Sequence, residues 1–124
     1  MKKGIVILLI FCVLELIAAT VPDSLLIKAD RIYFSGDLYS AYEIYCSVEK
    51  NFPDNESALT GLYNTTVHSG DIKAAGEYAE KLYEINSSDL NRNRVIYSEA
   101  LSGRTSRAAS FLKKNLNYQS MITS

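Results

Sequence analysis

A short phrase occurs three times in this chain of 124 residues, at an almost constant spacing. The sequences SGDLYSA, SGDIKAA and SGRTSRA begin at residues 35, 69 and 102, and their glycines lie 34 and 33 residues apart. A fixed period in this range is typical of arrays in which one supersecondary unit is repeated and stacked. The spacing therefore predicts three copies of one unit.

Apolar residues follow each glycine at steps of three and four, which is the period of one face of a helix. The stripe is complete in the first two copies and interrupted by polar residues in the third. Its positions are Leu38, Ala41, Tyr45 and Val48, then Ile72, Ala75, Ala79 and Leu82, then Thr105, Ala108, Leu112 and Asn115. A helix is therefore predicted after each glycine.

The residues around each phrase predict where helices end and begin. Each glycine is expected to end a helix in the left-handed conformation, and Asp37 and Asp71 to cap the helix that follows. The preceding helices are predicted at about 23–34, 55–68 and 89–101, since no segment alternates like a strand. We therefore expect an all-α fold of six helices in three antiparallel hairpins.

This pattern resembles the tetratricopeptide repeat over nearly all of residues 22–116. The second copy has Ala79 in place of an aromatic residue and Ser87 in place of the closing proline. The third copy is one residue shorter and has Arg92 where a large apolar residue is expected. The matching residues are Leu25, Ala29, Gly36, Ala41, Tyr45 and Pro53, then Leu59, Leu62, Gly70, Ala75 and Leu82, then Gly103 and Ala108.

The resemblance implies a right-handed superhelical array of three hairpins, a solenoid. Its copies would cover about 22–55, 56–88 and 89–118, followed by a short tail at 119–124. Arrays of this family mostly bind other proteins, and the first helices of their hairpins line a concave groove. By helical phase, the groove positions of this chain are Leu26, Asp30, Tyr33, Thr60, Asn64, Val67, Asn93 and Tyr97.

The N-terminal segment, residues 1–21, has the pattern of a secretory signal peptide. Lys2 and Lys3 precede an apolar run at 5–14, and small residues follow at 18–20. The run from residue 4 to residue 21 is also about the shortest that spans a bilayer, so an uncleaved membrane anchor is the alternative. Either interpretation predicts an extracytoplasmic protein that is secreted or held at the membrane.

Charge is distributed unevenly along the rest of the chain. Residues 21–91 carry 5 basic and 12 acidic side chains, whereas residues 92–124 carry 6 basic and 1 acidic. The two ends would attract different partners or each other, unless the asymmetry is only that of a solvated surface. The basic end lacks interleaved aromatic residues, and export is predicted, so nucleic acid is not expected as a partner.

No constellation of residues in the sequence predicts catalysis. His68 is the single histidine, Cys46 is the one cysteine outside the N-terminal segment, and phosphate-binding glycine loops are absent. No enzyme activity, metal or cofactor is therefore expected. We predict a non-catalytic adaptor that binds a protein or peptide. The alternative is a structural protein that self-associates, or stabilises a membrane complex, through its C-terminal helix, where Phe111 and Leu112 are expected to be partly exposed.

Overall fold

The computed structural model describes residues 2–104 and 106–114, with side chains except at 8 and 11–21. These residues form helices and short turns, and no strand occurs among them. The prediction of an all-α fold is therefore confirmed. The helices are α1 (Lys2–Phe34), α2 (Leu38–Asn51), α3 (Glu56–Ser69), α4 (Ile72–Ile85), α5 (Asp89–Leu101) and α6 (106–114).

Helices that are consecutive in the chain pack against each other from α1 to α5, and α1 also contacts α3. The buried side chains form two adjoining clusters. The first lies between α1, α2 and α3 and contains Leu26, Ala29, Ala41, Tyr45, Val48, Ala58 and Leu62. The second lies between α3, α4 and α5 and contains Leu59, Tyr63, Ala75, Ala79, Leu82 and Val95.

The three predicted turns have the same backbone geometry. Gly36, Gly70 and Gly103 have φ angles of 96°, 85° and 80°, a region that is strained for residues with a Cβ. The residue after each glycine donates its N–H to the carbonyl of the residue five positions earlier, which is Ile32, Thr66 or Glu99, at 3.3, 2.9 and 3.0 Å. The 34- and 33-residue period is thus present in the backbone hydrogen bonds.

Side-chain caps fix the starts of four helices. Asp37 accepts from Ser40 N at 3.1 Å, and Asp71 accepts from Ala74 N at 3.2 Å, as predicted. Asn55 caps α3, and Ser88 caps α5. Each cap satisfies an N–H that has no carbonyl partner inside its own helix.

The first helix is much longer than predicted. The sequence predicted a start near residue 23, after Pro22, whereas α1 begins at Lys2 and includes the proline. A proline removes one N–H donor and crowds one carbonyl, which does not prevent helical turns on both sides of it. The described apolar side chains of its first part are exposed. Across the residues that are described, no helix is both long and apolar enough to cross a membrane.

The helix stripe buries its small residues as expected. Ala41 and Ala75 are fully buried and Ala108 is 5% exposed. Phe111 is half-buried and packs edge-on against Tyr83, with ring centroids 5.3 Å apart. Leu112 is 43% exposed, so the stripe weakens in the third copy. Thr105 and Asn115 lie outside the described residues.

Candidate functional site

A cleft of about 470 Å³ opens on the side of the molecule formed by α1, α3 and α5. Its walls come from the last turns of α1, the first half of α3 and the first turns of α5. The lining residues are Asp30, Tyr33, Phe34, Tyr45, Glu56, Ser57, Thr60, Gly61, Asn64, Asn86, Ser88, Leu90, Asn91 and Arg94. We refer to this site below as the cleft.

The floor of the cleft contains a tyrosine that reaches across α3 from α2. Tyr45 is 2% exposed, and its phenol O–H donates to the Asp30 carboxylate. Gly61 makes this possible, because a Cβ at residue 61 would overlap the Tyr45 ring. Burial, and then the hydrogen bond to Asp30, raise the pKa of Tyr45 well above its usual range. The phenol therefore stays protonated and holds Asp30 in place.

The α5 wall presents a fixed guanidinium. Asn91 is 3% exposed, and its Nδ2 donates to the carbonyls of Leu82 at 3.2 Å and Asn86 at 2.9 Å. Its Oδ1 accepts from Arg94 Nη1 at 2.7 Å. The Arg94 Cζ lies 5.6 Å from the centroid of the Tyr63 ring, a cation–π geometry. Arg94 is therefore held by groups that are themselves anchored in the fold.

The rim of the cleft is apolar on two opposite sides. Phe34, at the end of α1, is 83% exposed, and Leu90, in the first turn of α5, is 61% exposed. Large apolar side chains at this exposure are common singly on protein surfaces. Here Phe34 and Leu90 lie at the same cleft, above a polar floor. The cleft therefore combines apolar contact area with hydrogen-bonding groups, as ligand-binding pockets do.

Four of the eight predicted groove residues line the cleft, namely Asp30, Tyr33, Thr60 and Asn64. Tyr33 also makes a hydrogen bond between its hydroxyl and His68 Nδ1, which ties the end of α1 to the end of α3. Asn64 is half-buried at the centre of α3. At these four positions, the face assigned by helical phase is the face that lines the cleft.

The other four predicted residues lie elsewhere. Leu26 is 7% exposed and belongs to the first core, since α1 is covered by both α2 and α3; its assignment to an open face does not match the structure. Val67 is half-buried and packs against the second core. Asn93 and Tyr97 are exposed on α5 but do not line the cleft.

Sequence reasoning missed the residues at the open end of the cleft. Phase alone did not assign Phe34, Leu90, Asn91 or Arg94 to it, because the site lies at the ends of helices. Two signals were available. Leu90 is an apolar residue outside the packing stripe, and Gly61 is a glycine inside a helix, where a close contact is a common reason for that residue.

The described side chains show no arrangement suited to metal chemistry. No group of three His, Cys, Asp or Glu residues within them is placed to hold a metal ion. Cys46 is half-buried, and burial raises the pKa of its thiol, which lowers the fraction of reactive thiolate. The cleft can thus contribute hydrogen bonds, charge and apolar contact.

No protein-family model matches the chain, and no curated protein matches its sequence.

Proposed function

We propose that this protein is a non-catalytic interaction module that binds a segment of another protein in the cleft. The observation that carries the proposal is the cleft itself, which joins a hydrogen-bonding floor to the exposed Phe34 and Leu90 at its rim. Protein interfaces are enriched in aromatic residues and combine apolar contact area with direct hydrogen bonds. The volume suits a few side chains of a partner segment.

The proposal includes a tetratricopeptide-like arrangement of the hairpins. It is supported by the recurring turns at Gly36, Gly70 and Gly103, the buried alanines that follow them, and the contact between α1 and α3. In such an array α1, α3 and α5 would share the concave side of a right-handed superhelix. The cleft would then be one section of that concave surface.

We also propose an extracytoplasmic location. This part of the proposal depends on the sequence of residues 1–21, with its two lysines and apolar run, which suits export whether or not the segment is later removed. Membrane attachment would follow if the segment is retained.

Affinity capture with matched variants tests the binding role. The full-length tagged chain is recovered from detergent-solubilised native membranes and from the external fraction, and the intact mass of the recovered protein is recorded. Phe34→Ser combined with Asn64→Ala should lower the yield of a stoichiometric partner at least tenfold without lowering helix content. Tyr39→Ser is the control, because Tyr39 is 72% exposed on α2 outside the cleft.

Two outcomes would contradict the proposal. Undiminished capture by the cleft variant would remove the cleft from the interface. Recovery of the wild-type chain without any partner from both fractions would count against an adaptor. The intact mass separately reports whether residues 1–21 have been removed.

A structural role is the second candidate, favoured by exposed leucines near the C-terminal end of the described chain. Leu101 is 48% exposed and Leu112 is 43% exposed, whereas Phe111 is engaged with Tyr83. If this surface joins copies of the chain, changing both leucines to Ser should convert a defined multimer to a monomer in sedimentation equilibrium. A wild-type chain that is monomeric at high concentration would exclude this role.

A further inference from the structure

The cleft is lined by charges of both signs on different helices. Asp30, on α1, and Glu56, in the first turn of α3, provide two carboxylates, and Arg94, on α5, provides a guanidinium. Within the described residues, none of the three takes part in an ion pair, although five ion-pair contacts occur elsewhere. Three unneutralised charges thus line one cavity.

Two of these charges, those of Asp30 and Arg94, are held in place before any partner binds. Asp30 accepts from the buried Tyr45 phenol, and Arg94 is fixed by Asn91 and the Tyr63 ring. A guanidinium has five N–H donors, and only one of those of Arg94 has a hydrogen-bond partner among the described residues. Groups ordered in advance lose little entropy on binding, so their remaining hydrogen-bonding capacity is available to a ligand.

Resting on the binding role proposed above, we propose that the cleft takes an extended peptide segment carrying one basic and one acidic side chain. The basic side chain lies toward Asp30 and Glu56, and the acidic side chain lies toward Arg94. A segment with a single sign of charge meets like charge at one wall, which disfavours it. Apolar side chains between the two charges contact Phe34 and Leu90 at the rim.

Charge complementarity fixes which end of the segment lies at which wall. Along one chain direction, reversing the order of the two charged residues would place each beside a wall of its own sign. Peptides of reversed order therefore test whether the cleft also holds the backbone in one direction.

A set of capped pentapeptides tests this inference on the full-length chain in a neutral detergent. The four probes are Lys-Ala-Leu-Ala-Glu and its versions with Gln at the first position, at the last position, or at both. The same set is repeated with one or five residues, instead of three, between the two charged positions. It is also repeated with the order of the two charges reversed. Binding is followed by the NMR shifts of cleft amides. At the preferred spacing and order, the doubly charged peptide should bind at least tenfold more tightly than the neutral one.

Variants of the chain assign each charge to its wall. Arg94→Gln should abolish the preference for the acidic residue and keep that for the basic one, and Asp30→Asn with Glu56→Gln should do the reverse. Glu43→Gln and Arg31→Gln are the controls, as both residues are exposed and lie outside the cleft. The helix content of every variant is checked by circular dichroism.

The failures of this inference and of the proposed function are distinguishable. Equal binding of neutral and charged peptides in the cleft, or binding of none of them at any spacing, overturns the charge inference. If partner capture still depends on Phe34 and Asn64, the binding role stands. If capture is indifferent to the cleft variant, both are overturned.

Discussion

The second and third turns of this molecule share one backbone geometry and use different side chains to stabilise it. In the turn between α3 and α4, Asp71 follows the glycine and caps the next helix. In the turn between α5 and α6, Arg104 follows the glycine and pairs with Glu99, with Nε 3.4 Å from Oε2. The backbone bonds from residues 71 and 104 to residues 66 and 99 are 2.9 and 3.0 Å long.

The residue whose carbonyl accepts the turn hydrogen bond also differs between the two turns. Thr66 is 3% exposed, and its hydroxyl donates to carbonyls of its own helix. Glu99, which takes the same place in the third copy, is 4% exposed and lies near both Arg104 and Arg107. Arg107 also binds Glu80 on α4 at 3.0 Å. A neutral Thr with an Asp cap in one copy is thus replaced by an ion-pair network in the next, which shows that the repeat is defined by its backbone.

The largest effect is expected from Arg104→Asp, which places a carboxylate beside the buried Glu99. Only the Arg107 contact, at 3.7 Å, would then offset the buried charge, and we expect a loss of about 2 kcal/mol of unfolding free energy. Adding Glu99→Thr recreates the residues of the second turn and should recover most of the loss. Urea unfolding measures both. Equal stability of Arg104→Asp and Arg104→Ala would contradict the ion-pair account.

The shared backbone predicts equal costs for Gly70→Ala and Gly103→Ala. Both residues have positive φ, where a Cβ costs about 1–2 kcal/mol. Thermal unfolding should show the same direction of change in both variants. Gly76→Ala is the control, because Gly76 is helical and its added Cβ would meet Ser98 Oγ at an ordinary 3.5 Å. A cost at Gly70 without one at Gly103 would mean that the turns are not equivalent.

Removing the caps should separate the two turns. Asp71→Ala should cost about 1 kcal/mol, since the first turn of α4 loses an acceptor. Arg104→Ala should cost less than about 1 kcal/mol, because the Arg104 side chain is 52% exposed. Asp71→Asn, which keeps an acceptor, should be close to wild type. Urea unfolding in 1 M NaCl should shrink the Arg104 effect and leave the Asp71 effect unchanged.

The smallest effect is an acid dependence of the first turn. The Ser40 hydroxyl and then the Ser40 N–H donate to Asp37 and hold the pKa of this carboxyl below its ordinary value. Because the folded pKa is the lower one, the stabilisation is complete above the unfolded pKa of about 4 and is lost as the pH falls through the folded pKa. The Ser40 amide should lose exchange protection in that window. Asp37→Asn should remove the dependence.

The turns were predictable from the sequence because single residues determine them. A positive φ favours glycine, and a free N–H at a helix start favours Asp, so Gly36 and Asp37 were recognisable without tertiary information. Ala41 was recognisable because its copy recurs 34 residues later. Each of these assignments depends only on neighbours in the chain or on the repeat of the sequence, and not on how the helices pack.

The cleft was only half predictable, because its shape depends on how the helices cross. Leu26 and Asp30 are one helical turn apart, yet Leu26 is covered and Asp30 lines the cleft. Periodicity gives the direction of a side chain but not which neighbouring helix covers it. Glu99 illustrates the same limit. An acidic residue in a polar helix is expected to be exposed to solvent, but the fold places Arg104 and Arg107 against Glu99 and buries it.

The contact between Gly61 and Tyr45 restricts the order in which this protein can change over evolution. A side chain at residue 61 overlaps the ring unless residue 45 has first become smaller. A smaller residue 45 gives up the phenol that holds Asp30, so the first step loosens the cleft before the second can occur. Paths that begin at residue 61 are sterically closed, while those that begin at residue 45 pass through an intermediate in which Asp30 has lost its hydrogen-bond donor. The two positions are therefore expected to persist together or to be exchanged together.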